Sequence, residues 1–427
     1  MKFGKGYEIL MMVLIVGCLL CGCEKRKTES ENMIAENTKE IKDTSQETRE
    51  QREKGYDLSL EEAEQEEAAT ECKEMMKKIQ GIYKLADKGE ASNVVPQDET
   101  MLEMQKALTE TGCPVSVSVA YSAMGNYEKA DQFLTDCKNG KNGFVVIYDV
   151  RQDGGVNRMK FLYDGADMYV VSTSGIWMEN NTPGIAYTSY TRIKEWEYTE
   201  NGWFCYELCV PEPPEVTEIM DGSCLIRIIP MPEKERELTK LCVQGIGYQG
   251  NNLLCSDWDL DNLDALDYNG LYEYLYRMKY GERLQAENYI DGIPKAEFES
   301  LMMEYLLISK EELQEYAEFD EKTHRYTWAS LGCGNYSPNF FGTSVPEVVE
   351  VKENPDDTVT LTVNAVCDMV ICDDALITHE LTVKFKEDGS FQYLGNEIQK
   401  EDRNNVPEYQ YRVKGEIKNG SRRERIS

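Results

Sequence analysis

At 427 residues, with 41% hydrophobic and 29% charged, the chain is long enough for two or three domains with a sizeable core. A formal net charge of −32 gives a surface that repels nucleic acid and anionic headgroups, which argues against both as direct partners. Cationic peptides, divalent cations and basic proteins remain, and such acidity also keeps an exported domain in solution.

The first element is a leader. Lys2 and Lys5 precede an apolar run from Ile9 to Leu20, and the stretch to Cys23 falls short of the roughly 20 residues a spanning helix needs. It ends in Leu20-Cys21-Gly22-Cys23, which resembles the lipobox of bacterial lipoproteins. The resemblance implies that Cys23 takes a diacylglyceryl thioether and becomes the mature N-terminus, since sulfur is the nucleophile that accepts the lipid. Ile15-Val16-Gly17-Cys18 fits the pattern as well, so Cys18 is the alternative; Cys23 leaves the longer apolar run and borders the charged sequence directly. An uncleaved anchor is the competing reading, supported by Lys25-Arg26-Lys27. Residues 1–23 are therefore read as a signal peptide and 24–58 as a disordered tether, too poor in apolar residues to fold alone.

Folded sequence is expected from residue 59. Ser59 and Glu62 form a capping-box pattern, and Ala68, Cys72, Met75, Ile79, Ile82 and Ala86 recur at helical spacing before Gly89. Asp98 opens a second helix that Gly112 and Pro114 end. A strand at 115–119 and a helix at 126–137 follow. The period then switches to two, with strands at 144–150, 156–163, 168–173, 192–198, 203–208 and 225–229. Asp153-Gly154, Asp164-Gly165 and Asn201-Gly202 supply the hairpin turns of an antiparallel sheet.

A boundary between Pro211 and Pro232 divides this part, 59–230, from a second, 231–400. The second opens with helices at 233–241 and 272–280. Pro294 starts a third that carries Phe298, Leu301, Met302, Tyr305 and Leu306, and Ser309 with Glu312 caps a short fourth. Strands return at 348–352, 358–366, 378–386 and 391–394, and residues 401–427 form a polar, frayed tail ending in Arg422, Arg423 and Arg425. The class is α+β, antiparallel meanders with helices packed on them, in two subdomains.

Few segments invite chemistry. Asp257, Asp259 and Asp261 stand at positions one, three and five of a calcium loop. Asn262 occupies the glycine position and Tyr268 that of the bidentate acid, so the expectation is an acidic surface loop, with these aspartates as the only metal candidates. Gly245 to Gly250 matches G-x-G-x-x-G, but a helix precedes it rather than a strand, so no dinucleotide and no other cofactor is expected. His324 reads as a solvated turn residue and His379 as a sheet-surface residue. No catalytic motif stands out, and acidic pairs are too abundant to single out a glycosidase. Eleven cysteines from Cys72 to Cys372 read as mostly free, buried thiols.

Two aromatic groups are candidate ligand contacts. Tyr272, Tyr276 and Tyr280 share one face of a helix; exposed, they stack on sugars or peptides, and buried, they clasp the helix in a core. Tyr336, Phe340 and Phe341 lie in the glycine-rich segment 332–342, either a tight loop on the sheet or a ligand rim.

The leader, together with ISKEELQEYA (308–317), WASLGCGNYSPNFFGTSVPEV (328–348) and ALITHELTVKF (375–385), resembles uncharacterised lipoproteins of anaerobic clostridial bacteria, a domain of unknown function. The resemblance implies a shared fold and a place outside the membrane, and it carries over no activity and no functional residue. The sequence thus leads to a lipid-anchored protein on the extracytoplasmic face of the cell membrane. Its expected work is binding or scaffolding with an envelope glycan, peptide or protein as ligand. An envelope hydrolase and a transporter's solute-binding protein are the alternatives.

Overall fold

The structure is a computed structural model that describes residues 53–88 and 97–413. Cys18, Cys23, the tether as far as residue 52, Gly89 and the arginines at 422, 423 and 425 lie outside the described residues. The rest forms two compact units, one ending at Pro230 and one beginning at Met231, both mixing helix with antiparallel sheet.

The first unit begins with α1 (Glu62–Leu85) and α2 (Asp98–Thr109) and is built on a seven-stranded sheet. Its strands are β1 (Val115–Val117), β2 (Gly143–Val150), β3 (Val156–Tyr163), β4 (Met168–Met178), β5 (Thr182–Tyr198), β6 (Trp203–Leu208) and β7 (Ser223–Arg227), side by side in sequence order. From β2 onward every pair is antiparallel; loops of three to five residues join β2 through β6, and a longer one leads to β7. β1 stands outside the antiparallel meander. That strand runs parallel to β2 and reaches it through a crossover helix, α3 (Glu128–Lys138).

Strand alternation gives the sheet two coverings. Val145, Ile147, Phe161 and Val170 point to α3, which buries Ala130, Phe133, Leu134 and Cys137 against them. Tyr148, Val150 and Val156 point the other way, to Met75, Met76 and Ile79 of α1 and Met101, Met104 and Leu108 of α2. The helix stripe read from sequence is this buried face. Its cap is not: α1 starts at Glu62, with Glu61 at the N-cap position and no side-chain capping bond. Likewise Gln97 holds the N-cap of α2, and Asp98 lies one position inside, where its charge still suits the helix N-terminus. Gly175 lets α1 approach β4. A Cβ there would sit 2.5 Å from Met76 Sδ and 2.8 Å from both Cys72 Sγ and the Val156 carbonyl oxygen.

The second unit has four helices, α4 (Glu233–Leu238), α5 (Tyr268–Tyr280), α6 (Lys295–Tyr305) and α7 (Lys310–Tyr316), among its described residues. A small sheet joins β8 (Ile293–Pro294), β9 (Phe319–Asp320) and β10 (Arg325–Tyr326). The main sheet is the antiparallel meander β11 (Val345–Glu353), β12 (Val359–Val366), β13 (Thr378–Phe385) and β14 (Phe391–Ile398). Leu361, Val363, Leu381, Val383 and Tyr393 of that meander share one core with Leu271, Leu275, Phe298, Leu301 and Met302 of α5 and α6. The Ser309–Glu312 capping box is present in full. Pro294 stands one position earlier than expected, as the N-cap of α6.

Two expectations are corrected here. His379 is not on a sheet surface: it is 0% exposed, with Nε2 2.8 Å from the Tyr248 hydroxyl and Nδ1 2.5 Å from Asn396 Oδ1. The segment after residue 400 is not frayed as far as the structure describes it. Tyr409 donates its hydroxyl to Asp267 at 2.8 Å, and Arg412, 2% exposed, pairs with Glu273 at 2.9 Å and donates to the Gly250 carbonyl at 3.0 Å. The physical reason is that Asp267 at the N-cap of α5 and Glu273 within the helix need partners, and the segment returns the Tyr409 phenol and the Arg412 guanidinium to them.

Candidate functional site

The helix α5 is fixed at both ends. The Asp267 carboxylate accepts from the Gly270 backbone amide at 2.9 Å, and Gly281 closes the helix in the left-handed conformation at φ 69°. Between them YNGLYEYLYRMKY spreads aromatic side chains around the rod. Tyr268, Leu271, Tyr272 and Leu275 turn into the core. Tyr276 and Tyr280 continue along the Tyr272 face as the helix leaves it, and Tyr280 is 54% exposed.

Tyr272 is held from behind by a column of rings. Its ring stacks on Phe298 at 5.2 Å and 6°, and Phe298 stacks on Tyr326 at 4.0 Å and 12°. Tyr276 meets Tyr272 at 6.2 Å and Tyr280 at 4.6 Å, while Tyr289 closes on Tyr272 at 6.5 Å from the opposite side. These rings wall a cleft of about 430 Å³, completed by Lys279 of α5 and Glu297 of α6. Tyr289 donates its hydroxyl to Glu297 Oε2 at 3.2 Å. Lys279 pairs with Glu304, which pushes the ammonium pKa up. Burial raises the Tyr289 phenol to about 12 and the Tyr272 phenol above the usual tyrosine range, so both keep their protons.

The hydroxyls of Tyr272, Tyr276 and Tyr280 have no hydrogen-bond partner among the described residues. Tyr272 is 2% exposed and lines the cleft, yet its hydroxyl makes no hydrogen bond among the described residues. A phenol hydroxyl lining a cleft with no protein partner is free to donate to or accept from an occupant.

Two further clefts border the same helix. Glu273, Tyr274, Arg277, Arg283 and Leu284 line one of about 220 Å³. Lys240, Gln244, Arg277, Met278, Tyr305 and Phe391 line part of another of about 450 Å³. In the first, Glu273 is occupied by Arg412.

The other candidates do not join this site. Tyr336, Phe340 and Phe341 line none of the three clefts. Phe341 is 2% exposed and packs on Tyr248 at 5.4 Å. Tyr336 accepts from Gln249 at 3.2 Å, and Phe340 alone of the three is exposed. The aspartates at 257, 259 and 261 do not converge. Asp257 accepts from the Ile398 amide and pairs with Arg403 at 3.0 Å, and Asp259 accepts from the Asp261 amide in a local turn. Among the described residues no group of three or more His, Cys, Asp and Glu side chains is placed to hold a metal ion. Gly245 and Gly247 lie in turns after α4 and its π-type extension (Thr239–Val243), a helix rather than a strand. All eleven cysteines from Cys72 to Cys372 are free thiols, seven of them buried. Tyr289 and Glu297 were not legible as partners of α5. Tyr289 sits in a charged loop sequence, and Glu297 looks like an ordinary first-turn acid of α6.

The second unit is thus an α+β module with a tyrosine-walled cleft between two of its helices. The chain belongs to a family of unknown function, DUF6070, whose family model matches residues 65–412. No curated protein and no solved structure matches the chain.

Proposed function

We propose that the chain is a lipoprotein anchored by acyl chains on Cys23 at the extracytoplasmic face of the cell membrane. In this reading it binds an envelope ligand (a glycan, a peptide or a protein segment) in the cleft beside α5. The lipobox-like leader supports the anchor, and among the described residues no helix is long and apolar enough to cross a membrane. The observation that carries the binding site is the cleft walled by Tyr272, Tyr276, Tyr280 and Tyr289, in which the Tyr272 hydroxyl has no protein partner among the described residues. Mass spectrometry of the mature protein tests the anchor: a diacylated N-terminal Cys23 is expected, and an unprocessed, unacylated chain would refute it. Retention on purified envelope glycan and on peptide arrays, wild type against Tyr280→Ala, tests the cleft; equal retention by both proteins, or none by either, removes it.

The alternatives find less support. Hydrolysis of glycan needs two converging carboxylates, and the tyrosine cleft carries Glu297 alone. A solute-binding protein of the two-lobed type rests on parallel sheets, whereas here only β1 and β2 pair in parallel among the described strands.

A further inference from the structure

We infer that the tyrosine cleft recognises an organic cation: an amine or quaternary ammonium group held between the tyrosine rings and the Glu297 carboxylate. The inference rests on the cleft being the binding site and names the chemistry of its ligand.

Charge accounting within the cleft leads to this class. Two charged side chains line it, Lys279 and Glu297. Lys279 is neutralised by Glu304 and lies 5.4 Å from the Tyr280 ring centre, so its charge is already engaged on both sides. Glu297 has no ion pair among the described residues; its one partner is the neutral Tyr289 hydroxyl. The cleft therefore carries one uncompensated negative charge.

The walls favour the same ligand. Tyr272, Tyr276, Tyr280 and Tyr289 offer ring faces whose quadrupole attracts a cation, and attraction of this kind strengthens as water is excluded. Hydroxyls of Tyr272, Tyr276 and Tyr280 make no hydrogen bond among the described residues, so their oxygen lone pairs are not taken by protein donors. An anion would meet Glu297 and the ring faces together. A neutral saccharide could stack on Tyr280 but would leave the carboxylate's charge unanswered. The protein's charge of −32 adds a long-range field that concentrates cations at the surface.

Choline and its neutral isostere 3,3-dimethylbutan-1-ol separate charge from shape. Calorimetric titration of the intact chain with each is expected to give saturable choline binding, with the isostere at least about tenfold weaker. Glu297→Gln should weaken choline by roughly tenfold or more and leave the isostere unchanged, and Tyr280→Ala, at an exposed position, provides a second variant whose fold is not at risk. Equal binding of isostere and choline overturns the inference. So does binding of N,N′-diacetylchitobiose without choline, which would leave the cleft as the site with a neutral ligand. If none of these probes binds, the inference fails, and the envelope-retention assay alone decides the fate of the cleft.

Discussion

Tyr248 donates its hydroxyl to His379 Nε2 at 2.8 Å, and Asn396 accepts from Nδ1 on the other side of the ring. The amide orientation of Asn396 follows from its own donors, which reach the carbonyls of Ser256 at 2.9 Å and Leu254 at 3.4 Å and so leave Oδ1 for the imidazole. Nδ1 thus carries the proton, and the ring is neutral. Burial lowers its pKa to about 4.

The protonation consequence is specific. Below pH 6.5 the unfolded chain binds a proton at residue 379 that the folded chain does not, so stability is lost as pH falls from about 6.5 through about 4. Urea unfolding of the second unit followed across that window should show a loss of up to about 3 kcal/mol. His379→Gln should flatten that part of the profile; an unchanged slope would show that other groups set it.

Arg412 is sealed against Glu273, its side chain 0% exposed and its partner's 25%. Removing one member of such a pair leaves the other charge poorly solvated, so Arg412→Ala should cost about 3 to 5 kcal/mol. Denaturant melts would register this as a lower midpoint for the second unit, with the transition of the first unit unmoved.

Gly175→Ala tests the packing of α1 on the sheet. The added methyl meets Met76 Sδ, Cys72 Sγ and a backbone oxygen at 2.5 to 2.8 Å, and the oxygen cannot step aside as a flexible side chain can. Overpacking of this kind costs about 1 to 3 kcal/mol, to be read from the melting of the first unit.

Thiol reactivity should rank by burial. Cys333 is exposed, whereas Cys72, Cys137, Cys242 and Cys255 are buried, and burial raises their pKa to about 11 or 12. Brief alkylation of the native protein at neutral pH, mapped by peptide mass spectrometry, should label Cys333 first and leave those four until denaturant is added.

Much of the fold was legible because local chemistry and global structure agree. Strands β3 and β6 lie between strong turn signals, and their limits match the sequence reading residue for residue. Strand β5 was read only from Arg192, although it begins at Thr182, because Pro183 and Gly184 look like a breaker and its hairpin turns on Asn180 and Asn181 rather than on glycine. The parallel step to β1 was not legible, since three residues of alternation carry no direction. Of the candidate site, the helix was legible and the cleft was not. Tyr272, Tyr276 and Tyr280 follow from helical period, but whether they face core or solvent depends on where Phe298 and Tyr289 arrive. His379 shares a strand face with the apolar Leu381 and Val383, but its partners Tyr248 and Asn396, which let an imidazole be buried there, come from other segments and left no local sign.

The strap formed by residues 403–412 has a bearing on biosynthesis. Asp267 and Glu273 emerge from the ribosome long before Tyr409 and Arg412, the groups that satisfy them. Until residue 412 is in place, closing the second unit would bury Asp267 at the N-cap of α5 and Glu273 within the helix without these partners. Closure of the second unit around α5 therefore depends on the last stretch of the described sequence.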